Sequence, residues 1–288
     1  MAKNNRPTSG IFLAIRKMKN GILRYTGAFV LAALLAACSG RLPSAATGAR
    51  QVRVMTYNIH HANPPSKEEA GEIDIDAIVK TIRKENPDLV ALQEVDVNTE
   101  RSGKMNQAEM IAANLGMQAY FGRAIDHQGG YYGVAILSRY PLLETSVSPL
   151  PEDAAPASED RVLAIVKVKL PGGMVVRFGS THLDVVSPEN REQQVKAINA
   201  IAAKETMPFI VAGDFNADPE SSAISELDKR FTRTRGSDCE PTIPVDKPDR
   251  AIDFIAFSKG GPFKVVSQKV VQEKYASDHL PVVATLSY

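Results

Sequence analysis

A chain of 288 residues, 44% of them hydrophobic, with 34 Lys and Arg against 33 Asp and Glu, is long enough to bury one full core. This balance of charge offers none of the excess that marks a strongly basic nucleic-acid binder, and two cysteines exclude a disulfide framework. There is no tryptophan and no lysine-rich stripe interleaved with aromatics, which disfavours a platform for a single strand or a duplex.

The first segment stands apart from the fold. It is basic (Lys3, Arg6, Arg16, Lys17, Lys19, Arg24) and leads into the apolar run Gly27 to Ala37, closing on Leu35-Ala36-Ala37-Cys38. A run this short does not span a bilayer comfortably, and small residues before the break suit a peptidase. The pattern resembles bacterial lipoproteins. That resemblance implies a signal peptide over 1–37, lipid on Cys38, a tether over 38–50 and a place in the cell envelope. Ser39, where such proteins use aspartate for inner-membrane retention, favours the outer membrane. Residues 1–37 hold six basic and no acidic residues, so the rest of the chain keeps 28 basic against 33 acidic. The domain over 51–288 is therefore mildly acidic, and it is expected to act as a monomer.

Gln51 to Ile59 alternates and reads as a strand delivering Asn58, His60 and His61 at its end. A polar loop, Ala62 to Glu72, precedes a helix carrying Ile75, Ile78, Val79 and Ile82, capped by Asp74 and stopped before Pro87. Asp88 to Val95 is a buried strand ending in Glu94. Arg101 lies in the loop Asn98 to Asn106, and a short helix runs from Gln107 to Leu115. Val134 to Leu137 is a strand. Arg161 to Leu170 and Met174 to Thr181 form a hairpin about Pro171-Gly172-Gly173, with His182 and Asp184 beyond it. Ser187-Pro188 opens a helix. Phe209 to Ala212 is a strand that breaks at Gly213 and presents Asp214 and Asn216 on one face. After a helix over Ser221 to Phe231 and an irregular stretch to Arg250, Ala251 to Phe257 is a strand with Asp253 among apolar residues. Phe263 to Val271 is another strand, and Asp278 and His279 lead into the last.

Collected, the polar residues at strand ends are Asn58, Glu94, His182, Asp214, Asn216, Asp253, Asp278 and His279. Carboxylates and amides are hard oxygen ligands, which suit Mg2+ or Mn2+ rather than zinc. Acids beside histidines support general acid-base work. His60 and His61 read as loop residues, and Arg139 and Arg161 as structural arginines, while Arg101 is the arginine best placed to meet a substrate phosphate.

The series Met55-Thr56-Tyr57-Asn58-Ile59, Leu92-Gln93-Glu94-Val95, Ser180-Thr181-His182-Leu183, Gly213-Asp214-Phe215-Asn216, Ile252-Asp253-Phe254-Ile255 and Ser277-Asp278-His279-Leu280-Pro281 resembles the endonuclease/exonuclease/phosphatase superfamily. The resemblance implies a four-layer α/β sandwich, with two mostly antiparallel sheets packed face to face and helices outside. It also implies roles. Glu94, Asn58 and Asp278 would hold Mg2+ or Mn2+; Asp214 would orient and deprotonate the attacking water; Asn216, His182 and His279 would face the phosphate; and Asp253 would orient and charge His279. The implied reaction is in-line attack of water on phosphorus, on a phosphoester substrate. An envelope enzyme meets lipid head groups and similar small phosphodiesters, the preferred substrate. The alternatives are a secreted or surface nuclease, a sugar or inositol phosphate phosphatase, and a scaffold lipoprotein without catalysis.

Overall fold

The computed structural model describes residues 49–152 and 158–288. The expected signal peptide, Cys38 and most of the expected tether lie outside the described residues.

The first sheet takes strands from both ends of the domain: β1 (Gln51–Asn58), β2 (Leu89–Val97), β3 (Gln118–His127), β4 (Gly130–Ser138), β11 (Lys264–Val270) and β12 (Val282–Ser287). The second is built from β5 (Leu142–Pro149), β6 (Val162–Lys169), β7 (Val175–His182), β8 (Phe209–Asp214), β9 (Phe231–Arg233) and β10 (Asp253–Ser258). Among the described residues the strand orders are β11-β12-β1-β2-β4-β3 and β5-β6-β7-β8-β10-β9. Only β1 with β2 and β7 with β8 pair in parallel there, and each parallel pair is joined through a helix, α1 (Ile75–Glu85) and α3 (Pro188–Lys204).

Alternation along the strands sets the layers. Val52, Val54, Leu89, Ala91, Phe178, Ile210, Ala212 and Ile255 meet in the core between the two sheets. Their out-of-phase neighbours Met55, Tyr57, Val90 and Leu92 pack on α1 and α2 (Gln107–Leu115). Likewise Phe209, Val211, Phe254 and Ala256 pack with residues of α3 and α4 (Ser222–Arg230). The result is the expected four-layer α/β sandwich. The expected caps are in place, since Asp74 accepts from the Ala77 N–H at 2.9 Å and Ser187 from the Asn190 N–H at 3.1 Å.

Three strands carry no usable sequence pattern. β5 is a sheet edge, exposed over most of its length, so nothing forces it to alternate. β3 is the opposite sheet's edge and mostly half-buried, and β9 is three residues long.

Gly213 sets the spacing of the central strands of the second sheet. A Cβ there would lie 2.1 Å from the Thr181 carbonyl oxygen on β7. Gly213→Ala is therefore expected to push β7 from β8 and lower unfolding free energy by roughly 1–3 kcal/mol, measured by urea denaturation. An unchanged midpoint would show that the close approach is not structural.

Candidate active site

Three neighbouring strands bring an acid, a histidine and a second acid into one row. The parallel register of β7 with β8 places His182 opposite Asp214, and the antiparallel register of β10 with β8 places Asp253 opposite the same residue. All three continue the inward-facing phase of their strands, in step with Phe178, Ala212 and Ile255, and so emerge where the inter-sheet core ends. Asn58 does the same from the facing sheet, in phase with Val52 and Val54. The two sheets meet there: Asn58 Nδ2 donates to Asp214 Oδ2 at 3.1 Å.

Glu94 arrives by a different route. Strict alternation would place it outside with Val90 and Leu92, but the register of β2 on β4 shifts between Leu92 and Val95, and Glu94 has φ 55°. This bulge re-aims the side chain, and Asn58 Nδ2 donates to Glu94 Oε1 at 2.9 Å. The loop before β12 supplies the rest. Ser277 Oγ donates to the Asn58 carbonyl at 2.7 Å and accepts from the His279 N–H at 3.2 Å, fixing Asp278 and His279 against β1.

Asp214 is the hub of the cluster. Its Oδ2 lies 3.6 Å from both His182 Nε2 and His279 Nε2, and its Oδ1 accepts the Asn216 N–H at 2.9 Å. Asn216 takes up φ 48° to close that turn and donates Nδ2 to the Leu183 carbonyl at 3.0 Å. Asp253 Oδ2 lies 3.0 Å from His279 Nδ1, while its Oδ1 is buried without a hydrogen-bond partner among the described residues.

Burial and the nearby Asp253 raise Asp214 to about 7. His279 is pulled down by burial, but Asp253 and Asp214 outweigh this and push it up to about 10. His182 moves the other way, held well below its ordinary value by burial, Arg161 and His279. The site thus sets an imidazolium and a neutral imidazole either side of a poised carboxylate. Arg161, only a donor, lies 3.4 Å from His182 Nδ1, which makes Nδ1 the acceptor and leaves the proton on Nε2.

These groups open onto a cleft of about 340 Å³ lined by Glu94, His182, Asp214, Asn216, Asp278 and His279, with Tyr132, Glu159 and Arg161 on its wall. Asn58 and Asp253 sit behind this surface as fully buried supports. A surface hollow of about 400 Å³ beside Asp74, Lys80 and Tyr275 holds none of these groups.

Two of the three arginines exchange their expected parts. Arg101 is not at the cleft. Its Nε and Nη2 grip Asp96 at 2.8 and 2.9 Å, and its guanidinium lies over the Tyr132 ring at 5.4 Å. It neutralises a fully buried acid that the sequence hides at the end of β2. Arg161, read as structural, lines the cleft with its Nε buried and without a partner among the described residues. Arg139 is structural as read, donating to the Pro87 carbonyl at 2.7 Å. Arg101→Met should therefore destabilise the fold by roughly 3 kcal/mol by stranding Asp96, measured by denaturant melts, with little effect on turnover of the folded fraction. Lost turnover at unchanged stability would return Arg101 to the substrate.

His60 and His61, read as loop residues, also approach the site. One ligand-capable atom of each lies within 4.8 Å of the others and of a Glu94 oxygen; Asp214, Asp253 and His279 form a second such group. The second group is already an ion-paired network around a protonated His279, which cannot ligate. The Glu94 group is the better fit to a divalent cation, because its carboxylate and ring nitrogens are lone-pair donors at the cleft.

The endonuclease/exonuclease/phosphatase family model matches residues 55–279, which takes in every one of these groups. The chain belongs to this family. It is 25% identical over 250 residues to the uncharacterized protein YbhP of Escherichia coli K12, a match covering 81% of this chain and 95% of that protein. An endonuclease/exonuclease/phosphatase structure from Beutenbergia cavernae aligns with TM-score 0.69 and 28% identity, over 83% of this chain and 72% of that one. A mannosyl-6-phosphatase of Bacteroides thetaiotaomicron aligns with TM-score 0.67 and 19% identity, over 82% of this chain and all (100%) of that one. As a member of this endonuclease/exonuclease/phosphatase family, the chain is a phosphoester hydrolase, in a family that typically depends on a divalent metal.

Proposed function

We propose that this hydrolase cleaves a small phosphodiester, a lipid head group or its like, by metal-assisted in-line attack of water, while held in the cell envelope by lipid on Cys38. The observation that carries the catalytic part is Asp214: a carboxylate buried between two imidazoles, each 3.6 Å from Oδ2, and raised to about 7. That separation is too long for a direct hydrogen bond and leaves the carboxylate to take a proton from water. Asn216 and the Nε2–H of His182 hold the phosphate. His279, charged and fixed by Asp253, meets the phosphoryl oxygen on which charge grows. Arg161 supplies a second positive group on the cleft wall. Glu94 and Asp278 would hold the cation, with Asn58 steadying Glu94 from behind through its Nδ2; when bound, the cation would supply Lewis-acid stabilisation of the phosphoryl oxygens.

A phosphomonoesterase is the second reading, supported by the likeness in fold to a mannosyl-6-phosphatase. A nuclease is less favoured, because the domain is acidic and four carboxylates line the cleft, Glu94, Glu159, Asp214 and Asp278. The deciding experiment is hydrolysis by the purified chain with divalent metal and with chelator. Substrates would be bis-p-nitrophenyl phosphate, p-nitrophenyl phosphate, choline and inositol phospholipids, and plasmid DNA. Metal-dependent cleavage of the diester or the lipids, with DNA intact, is the expected result. Preference for the monoester would establish the second reading, and cleaved DNA would establish the nuclease. Separately, Cys38→Ser should release the chain from the membrane fraction into the soluble one; continued membrane retention would overturn the anchor.

A further inference from the structure

We infer that His60 and His61 join Glu94 in the cation site and that this site selects a borderline transition ion of the Zn2+ or Co2+ kind over Mg2+. This deepens the reading of the cleft as a metal-dependent phosphoesterase and rests on it for what the ion does. The hard oxygen set expected from the sequence leaves these two imidazoles out.

Four observations place them there. First, His60, His61 and Glu94 bring their ligand-capable atoms within 4.8 Å of one another, a spacing fit for one ion. Second, the backbone adopts an uncommon conformation to achieve it. His60, His61 and Ala62 have φ of 45°, 43° and 59°, three consecutive non-glycine residues in the left-handed region. That conformation is unfavourable for any residue with a Cβ. Surrounding bonds enforce the turn: His60 N–H to Asn58 Oδ1 at 3.1 Å, Ala62 N–H to the Ile59 carbonyl at 2.7 Å, and Gln107 Nε2 to the His61 carbonyl at 2.6 Å.

Third, the His60 ring is set up as a ligand. Its Nδ1 lies 2.9 Å from the Asn63 carbonyl oxygen, which can only accept, so Nδ1 carries the proton and Nε2 keeps its lone pair. A hydrogen bond from one ring nitrogen to a backbone carbonyl is the usual orienting contact of a metal-bound histidine. Fourth, His61 Nδ1 is buried with no hydrogen-bond partner among the described residues, as expected of a nitrogen reserved for something other than protein. Two imidazoles and one carboxylate make a donor set that favours Zn2+, Co2+ or Ni2+, whereas Mg2+ seeks oxygen alone.

The test is binding, not turnover. The full chain, freed of metal by chelator, would be titrated with Co2+, Zn2+ and Mg2+ by calorimetry, with the visible bands of Co2+ reporting its ligands. Histidine ring signals would be followed by NMR; the chain has 5 histidines, few enough to assign. Zn2+ is expected to shift the ring signals of His60 and His61 and leave His127 unmoved, a result that needs no variant. His60→Gln and His61→Gln should each weaken Co2+ and Zn2+ at least as much as the roughly 10–100-fold lost with an outer-sphere partner of a metal ligand. Mg2+ binding should barely change. Displacement of Co2+ by equimolar Mg2+, or unmoved His60 and His61 signals on Zn2+ binding, would overturn the inference. A chain that binds Co2+ through these rings but hydrolyses no phosphoester would keep it and sink the hydrolytic reading instead.

Discussion

Asp214→Asn is expected to lower kcat by roughly 10²–10⁴-fold, the usual share of a positioned acid-base group, and to leave the fold standing. Asparagine keeps the shape and can still accept the Asn216 N–H, so the turn over Asp214 Oδ1 at 2.9 Å survives. It removes the group that takes the proton from water. Stability provides a second, independent readout. Asp214 is raised from an ordinary 3.8 to about 7 by burial and Asp253. Between those values the folded chain holds a proton that the unfolded chain has lost, so stability falls as pH rises through this window. Asparagine escapes that cost. In chelator the variant's melting point relative to the parent's should therefore rise as pH goes up through about 7, and bound metal should stabilise the parent more. A variant that retains full turnover while folded would remove Asp214 from the chemistry.

Much of this site was legible because it follows strand periodicity. Asn58 and Asp214 end strands whose inward phase is set by Val52, Val54, Ile210 and Ala212, so two short alternating runs foretell two polar groups at the same end of the core. What escaped was whatever breaks the period. Glu94 points inward only because a left-handed residue interrupts the register of β2. Its place among the candidates came from its position at a strand end and its metal-binding role from the resemblance, neither of them from alternation. The left-handed turn at His60 and His61 is likewise invisible in composition, although two adjacent histidines one residue past a strand-end asparagine were the available signal. Arg101 was misplaced because its partner, Asp96, lies two residues past Glu94 in a strand read as ending at Val95 and observed to continue to Val97. Arg161 begins the run that pairs with β7, and only that pairing reveals the neighbouring His182. The edge strand β5 shows the same limit in the fold: with one side open and no core to face, nothing in its sequence had to alternate.

Asp253→Asn should move the alkaline limb of kcat/KM to lower pH and reduce the maximum by about 10²-fold. Asp253 Oδ2 lies 3.0 Å from His279 Nδ1, and with Asp214 it overcomes the effect of burial to hold the imidazolium up to about 10. Taking away one negative charge lowers the pH at which His279 loses its proton. The charge facing the phosphoryl oxygen then disappears nearer neutrality. Asp214, at about 7, governs the opposite limb and should remain the group whose deprotonation turns activity on. Asp253 also helps to raise Asp214, so in the variant the acid limb shifts to lower pH together with the alkaline one. Linkage provides the check on cause. A histidine raised above its ordinary 6.5 contributes stability that is complete below 6.5 and is lost as pH rises through about 10. The melting difference between parent and Asp253→Asn should accordingly be widest in mild acid and shrink toward pH 10. A profile that drops uniformly without moving its alkaline limb would mean that Asp253 only positions the ring. An NMR titration of the His279 ring in both proteins would then show the same midpoint, and the charging role assigned to this acid would be withdrawn.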